Sequence, residues 1–135
     1  MRERKINKKS VLLYDNESDL ANNIKLYLED SYKVYNIKNI DNLILDLRHN
    51  FFDFVVLDFD SINQNFNKII NEVRRKSSTT KILLMCTIFN AENYNEKEIL
   101  NKVDDFIFKP FNVDLLKFKL SKNNFYKAKS KFIFN

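Results

Sequence analysis

The sequence predicts a doubly wound α/β sandwich, with a five-stranded parallel sheet as the middle of three layers. Three observations predict it. Short apolar runs alternate with longer segments of helical period five times along the chain. The runs are unbroken, as strands covered on both faces must be. Every connection is long enough to hold the crossover helix that parallel neighbours need.

The elements follow in order. Ser10 to Tyr14 (SVLLY) reads as a buried strand. From Ser18 to Glu29, Leu20, Ala21, Ile24, Leu26, Tyr27 and Leu28 recur at threes and fours, the period of a helix, with Asp19 in its first turn. Tyr32 to Asn36 is a second strand, and Asp41 to Leu47 a second helix with Leu43, Ile44 and Leu47 on one side and Asp41 as its candidate N-cap. Phe54 to Leu57 (FVVL) is the third strand. Phe66, Ile69, Ile70 and Val73 mark a third helix that runs into the basic, polar stretch Arg74 to Thr80. Ile82 to Met85 is strand four, Ala91 to Lys102 a weak helix, Asp105 to Phe108 strand five and Val113 to Leu120 the last helix.

Composition narrows the function classes. The chain has 135 residues, 44% hydrophobic, with 23 basic against 18 acidic side chains and a net charge of +5. That is one domain with enough surface to bury a core without staples. Cys86 is the single cysteine, so no disulfide forms within the chain, which fits a reducing compartment and a cytoplasmic location. No apolar run approaches the roughly 20 residues that cross a bilayer, so no membrane association is expected. Glycine is absent altogether. Gly-rich phosphate loops and dinucleotide fingerprints are thereby excluded, because their backbones approach a ligand only where side chains are missing. Asparagine is abundant and is expected to build the turns, as the next most tolerant residue of positive φ.

In a doubly wound sheet the ligand sits beyond the carboxyl ends of the strands, where strand order reverses. The residues at those ends are Asp15-Asn16-Glu17, Asp58-Phe59-Asp60, Thr87 and Lys109-Pro110-Phe111. Any one aspartate after a strand serves as a helix cap or a solvated turn. Together, two or three carboxylates, a hydroxyl and an ammonium form a phosphoryl-acceptor constellation. Carboxylates without histidine or cysteine suit a hard, oxygen-preferring cation such as Mg²⁺, and lysine and hydroxyl suit the oxygens of a transferred phosphoryl group. This requires the side chains of residues 15, 58, 87 and 109 to meet around a small cavity reached from water.

VLLYDNE, DFVVLDFD, KILLMCT and VDDFIFKPF, in that order, resemble the receiver domain of two-component response regulators, the CheY-like fold of flavodoxin-like (βα)5 topology. Separations of 43, 29 and 22 residues between Asp15, Asp58, Thr87 and Lys109 match the family's spacing. The resemblance covers residues 10–123, leaving a basic arm at 1–9 and a linker or tail at 124–135. It implies Asp58 as the phosphorylated residue, and Asp15, Asp58 and the backbone carbonyl of Asp60 as ligands of Mg²⁺. Thr87 and Lys109 would hold the phosphoryl group, and the Lys109-Pro110 bond would be cis. Thr87 and Phe106 would form the switch, Phe106 turning inwards on activation; its other reading is plain core. The implied partners are a sensor histidine kinase and a second copy, bound through the face of the fourth helix, fifth strand and fifth helix.

Two departures bear on that implication. Asn16 stands where the family has a second acid, which removes a charge near the cation and lowers metal affinity unless the Asp60 side chain or Glu17 restores it. The segment Asp60 to Phe66 lacks the family's proline and glycines, so its path is expected to differ. A phosphorylation-independent interaction module is therefore the alternative, and a small Mg²⁺-dependent phosphatase is a third reading. Elsewhere, Cys86 reads as a small buried hydrophobe and His49 as a solvent-facing residue near the end of the second helix. Asp104-Asp105 reads as a solvated loop or as a partner of Lys117 or Lys119 at an interface. The basic residues at both ends read as solvated arms before they read as a nucleic-acid footprint. Lys131 to Asn135 (KFIFN) resembles the opening strand of an output domain of an OmpR/PhoB-type transcription factor, through which alone DNA would be bound. The domain would catalyse its own modification and would not be a turnover enzyme.

Overall fold

The computed structural model describes residues 7–87 and 96–121. Five strands alternate with five helices: β1 Lys9–Tyr14, α1 Ser18–Leu28, β2 Tyr32–Ile37, α2 Ile40–His49, β3 Phe54–Asp58, α3 Phe66–Lys76, β4 Lys81–Cys86, α4 Glu96–Asn101, β5 Asp105–Phe108 and α5 Val113–Ser121. The strands form one parallel sheet in the order β2-β1-β3-β4-β5. Strand order reverses between β1 and β3, so the turns after these two strands flank the crevice where such sheets bind ligands.

The pleat of β1 shows how the layers are made. Val11 and Leu13 point to one face, with Ala21, Ile24 and Leu28 of α1 and Leu116 and Leu120 of α5. Leu12 and Tyr14 point to the other, among Leu43 and Leu47 of α2, Ile69 and Val73 of α3, and Ile99 and Leu100 of α4. Successive side chains alternate across a strand, so an unbroken apolar run fills both cores. The edge strand β2 departs from this: Lys33 and Tyr35 are exposed between half-buried neighbours, and a lysine on an open edge discourages pairing with another chain.

Several local expectations are corrected. Asn39, not Asp41, caps α2: its side chain accepts from the Asn42 N–H at 2.8 Å, and the helix starts one residue before Asp41. No described residue has positive φ. The asparagines act through their amide oxygens instead, as Asn39 does and as Asn112 does for the Asp114 N–H. The segment after β3 is helical, a short turn at Phe59–Ile62 followed by a 3-10 turn at Asn63–Asn65, so no glycine is needed there.

Asp104 and Asp105 are not a solvated loop. Asp104 pairs with Arg74 at 2.9 Å and accepts from the Ile82 N–H, while buried Asp105 pairs with Lys119 of the same chain at 3.2 Å. Each carboxylate there meets a cation within the fold, which offsets the cost of removing it from water. His49 is exposed at the end of α2, and the Lys109–Pro110 peptide is cis. The expected helical residues 91–95 and the tail carrying Lys131 to Asn135 lie outside the described residues. Among the described residues no helix is long and apolar enough to cross a membrane.

Candidate functional site

Tyr14 pairs with Leu57 in the β1–β3 ladder, so Asp15 and Asp58 leave adjacent strands side by side. Phe108 pairs with Cys86, and the Lys109 N–H donates to the Cys86 carbonyl at 2.7 Å, which sets Lys109 beside the end of β4. From there its ammonium reaches across the sheet end. Lys109 Nζ lies 2.7 Å from Asp15 Oδ2 and 3.0 Å from Asp58 Oδ1, with Glu17 Oε2 at 3.8 Å on the rim. The side chains of Asp15 and Asp58 are 1% and 6% exposed, against 68% for Glu17.

Two buried carboxylates and one ammonium leave a net negative charge in the crevice. Burial pushes the Asp15 carboxyl above the ordinary range, against the pull of its bonds from Lys109 and the Glu17 N–H. Burial by itself draws the Lys109 ammonium down, but its contacts with Asp15 and Asp58 outweigh that, and the net direction is up. Tyr14 is raised by burial and then by the two aspartates. Lysine is therefore held charged and the pocket is acidic. At the end of β4, burial pushes the Cys86 thiol up to about 12, as befits a small hydrophobe.

The two oxygens of Asp58 differ. Oδ2 accepts from both the backbone N–H (3.1 Å) and the hydroxyl of Ser61, so Asp58 caps the turn Phe59–Ile62. Oδ1 is buried, accepts from no backbone N–H or hydroxyl among the described residues, and meets the Lys109 ammonium at 3.0 Å. The expectation that Asp58 borders water is thus corrected. The residue is 4% exposed, with the Lys109 ammonium on one carboxylate oxygen and Ser61 on the other. Asn16, Asp60 and Thr87, on the loops that follow the same strands, are exposed.

The other expected members stand at the rim. Thr87 Oγ1 donates to Asp60 Oδ2 at 2.8 Å, so its hydroxyl is turned to Asp60. Asn16 is exposed, and its amide oxygen accepts from the Tyr14 hydroxyl at 3.0 Å. Of the two acids that could restore the charge lost at Asn16, Glu17 lies 3.8 Å from the Lys109 ammonium at the rim and Asp60 is turned to Thr87. Phe106 is half-buried against the core, with the Phe108 ring edge-on at 5.1 Å and Lys119 Nζ 6.0 Å from its centre. Ser61 was not singled out by its sequence. An aspartate at the start of the turn signals the cap, whose bond goes to the backbone N–H three residues on, but the part played by the Ser61 hydroxyl has no sequence signal.

The donors suit a hard cation. Mg²⁺ takes six oxygens and usually only one or two protein carboxylates. Asp15 and Asp58 supply two. Among the described residues no three His, Cys, Asp or Glu side chains converge as a metal cluster. The fit is to a two-carboxylate site completed by other oxygens.

Comparison with known proteins gives the family and the fold. The chain is 24% identical over 110 residues to the transcriptional regulatory protein CiaR of Streptococcus pneumoniae, a match covering 82% of this chain and 49% of that protein. The chain spans about half the length of that curated relative. Among solved structures it is similar to the chemotaxis response regulator CheY4 of Vibrio cholerae, with a TM-score of 0.72 and 20% identity over 84% of this chain and 97% of that one. It is also similar to a response regulator from Burkholderia pseudomallei that carries a phosphorylated aspartic acid, a calcium ion and citrate, with a TM-score of 0.70 and 18% identity over 95% and 75% of the two chains. Receiver domains generally bind Mg²⁺ or Ca²⁺ at an acidic site and interact with sensor histidine kinases. The family model for the response regulator receiver domain matches residues 11–121, from β1 through α5, and the chain belongs to that family.

Proposed function

We propose that this receiver domain accepts a phosphoryl group on Asp58 from a phosphohistidine of a sensor histidine kinase and then changes its affinity for itself or for another partner. One observation carries the reading: a lysine ammonium lies between two buried carboxylates at the switch point of the sheet, and among the described residues one oxygen of Asp58 faces that ammonium alone. That oxygen, Oδ1, is the nucleophile. Its lone pair forms the O–P bond as the donor P–N bond breaks and imidazole leaves with the electron pair. Lys109 follows the charge, exchanging carboxylate oxygens for phosphoryl oxygens. The Thr87 hydroxyl leaves Asp60 for the phosphoryl group, and the space it vacates admits Phe106.

Asp15, Asp58 and the Asp60 carbonyl are the groups that would hold Mg²⁺, which when bound supplies neutralisation of the phosphoryl oxygens. Asn16 weakens that site without abolishing it. The domain catalyses its own modification and is not a turnover enzyme. Exposed Phe108, Leu115 and Phe118 support pairing of two copies through α4, β5 and α5, and the relation to a transcriptional regulatory protein supports an output in transcription regulation.

The test is intact mass after incubation with Mg²⁺ and acetyl phosphate. A gain of one phosphoryl group in wild type and none in Asp58→Asn is expected. No gain in wild type over a range of Mg²⁺ overturns the reading. It would favour a phosphorylation-independent interaction module, for which the engagement of Asn16 with Tyr14 and the internal neutralisation by Lys109 speak. Steady release of inorganic phosphate from organic monoesters would point to a phosphatase.

A further inference from the structure

Ser61 joins the two loops that carry the acidic pocket. Its hydroxyl accepts from the Asn16 N–H at 3.1 Å and donates to Asp58 Oδ2, and its own backbone N–H donates to the same oxygen at 3.1 Å. The result is a chain from the β1–α1 turn through Ser61 to the carboxylate of Asp58. Asn16 follows Asp15, so one hydroxyl links the backbone beside Asp15 to the carboxylate of Asp58. The link is also one-sided. Oδ2 takes both donors, while Oδ1 accepts from no backbone N–H or hydroxyl among the described residues and faces the Lys109 ammonium. A carboxylate has two equivalent oxygens until its surroundings distinguish them. Here the distinction comes from Ser61.

We infer that Ser61 is a positioning residue for phosphoryl acceptance, an inference that rests on the proposed role of Asp58. Its hydroxyl holds the carboxylate in the orientation that presents Oδ1 to the incoming phosphorus. The O–P bond forms at Oδ1, the donor's bond to phosphorus breaks, and with acetyl phosphate the electron pair departs on acetate. Oδ2 becomes the carbonyl oxygen of the acyl phosphate and keeps both Ser61 donors. Proton bookkeeping needs no further group, since Asp58 reacts as the carboxylate. A hydrogen bond to an ionised group in a part-buried site is among the stronger kinds, and a misoriented nucleophile reacts slowly even when substrate binds normally.

The test is an intact-mass time course with Mg²⁺ and acetyl phosphate on wild type, Ser61→Ala, Ser61→Thr and Ser61→Val. Threonine and valine have one shape and differ by the hydroxyl, so the pair separates hydrogen bonding from packing. Losing the hydroxyl is expected to slow Ser61→Ala and Ser61→Val about tenfold at saturating donor, with the donor concentration for half-maximal rate unchanged and Ser61→Thr staying within about twofold of wild type. Thermal melts of the four proteins show that they are folded. Ser61→Ala and Ser61→Val at the wild-type rate overturn the inference and leave the acceptor reading intact. Threonine as slow as valine also overturns it, since packing would then be the cause. A wild type that gains no mass overturns the acceptor reading itself, and the inference with it.

Discussion

Lys109→Met keeps the aliphatic stem and removes the ammonium, so it isolates the charge that Lys109 brings to the crevice. Asp15 and Asp58 would then face each other with side chains 1% and 6% exposed and no cation between them. Removing one partner from a buried ion pair costs about 3–5 kcal/mol, mostly because the remaining charge is left desolvated. With an unfolding entropy near 2.1 cal/mol/K per residue over 135 residues, that corresponds to a fall in Tm of about 10–18 °C.

The pH dependence of that loss has a definite sign. The Asp15 carboxyl is pushed up by burial, so it takes a proton above the ordinary carboxylate range, and the deficit of Lys109→Met shrinks as pH falls towards and through that range. In wild type the Lys109 ammonium is raised, so its contribution is complete at neutral pH and is lost only as pH climbs past the ordinary lysine value and through the raised one. Adding Asp58→Asn to Lys109→Met removes one of the two opposed charges and should restore most of the lost stability. Thermal and urea melts of the four proteins of this cycle measure it. A Lys109→Met variant melting within about 2 °C of wild type, the size expected of an exposed pair, would refute the reasoning.

Three further outcomes are expected. Asp60→Ala removes an exposed acceptor and should change stability by no more than about 0.5 kcal/mol, while a Thr87 hydroxyl freed from its 2.8 Å bond should speed phosphorylation by acetyl phosphate, read by intact mass. Arg48→Met should destabilise the fold at neutral pH, because Arg48, 3.0 Å from buried Glu72, holds that carboxyl below its ordinary range; this support exists above the ordinary glutamate value and is lost as pH falls through the lowered one, so Tm values of variant and wild type should converge as the solution is acidified below the ordinary glutamate range. Cys86, 1% exposed and with its thiol pushed up to about 12, should resist a thiol-labelling reagent in the native protein at neutral pH and react on unfolding.

The fold was legible because its strands carry the signal. FVVL and KILLMC are too uniformly apolar for anything but a sheet covered on both sides, and the helical stripes between them account for the covers. Less legible was whatever depends on partners far apart in sequence. Asp53 illustrates it: its carboxylate accepts from the Ser10 N–H at 2.8 Å and its N–H donates to the Ser10 hydroxyl, a clamp across 43 residues that no local pattern announces. Arg74–Asp104 and Lys119–Asp105 are of the same kind, and only the closed sheet brings them within reach. Asn39 was missed for a different reason. Asn39 and Asp41 are both acceptable caps by type, and the choice between them rests on where the backbone leaves β2.

At the site, sequence supplied the groups but not the division of their bonds. Residue types at strand ends show that Asp15, Asp58 and Lys109 can meet; they do not show that one Asp58 oxygen is claimed twice by Ser61 while the other is left to Lys109. That division changes how the missing acid at Asn16 weighs. Were both carboxylates free, losing a third charge would weaken a cation's hold simply by Coulomb attraction. With Lys109 already between them, a cation must displace an internal ammonium, so Asp15 and Asp58 gain by exchanging one positive charge for two only if Lys109 finds another anion. An incoming phosphoryl group is such an anion. Cation and phosphoryl group are therefore expected to enter this crevice with positive coupling, each relieving the cost the other imposes, and the coupling should weaken in Lys109→Met, where no ammonium has to be rehoused.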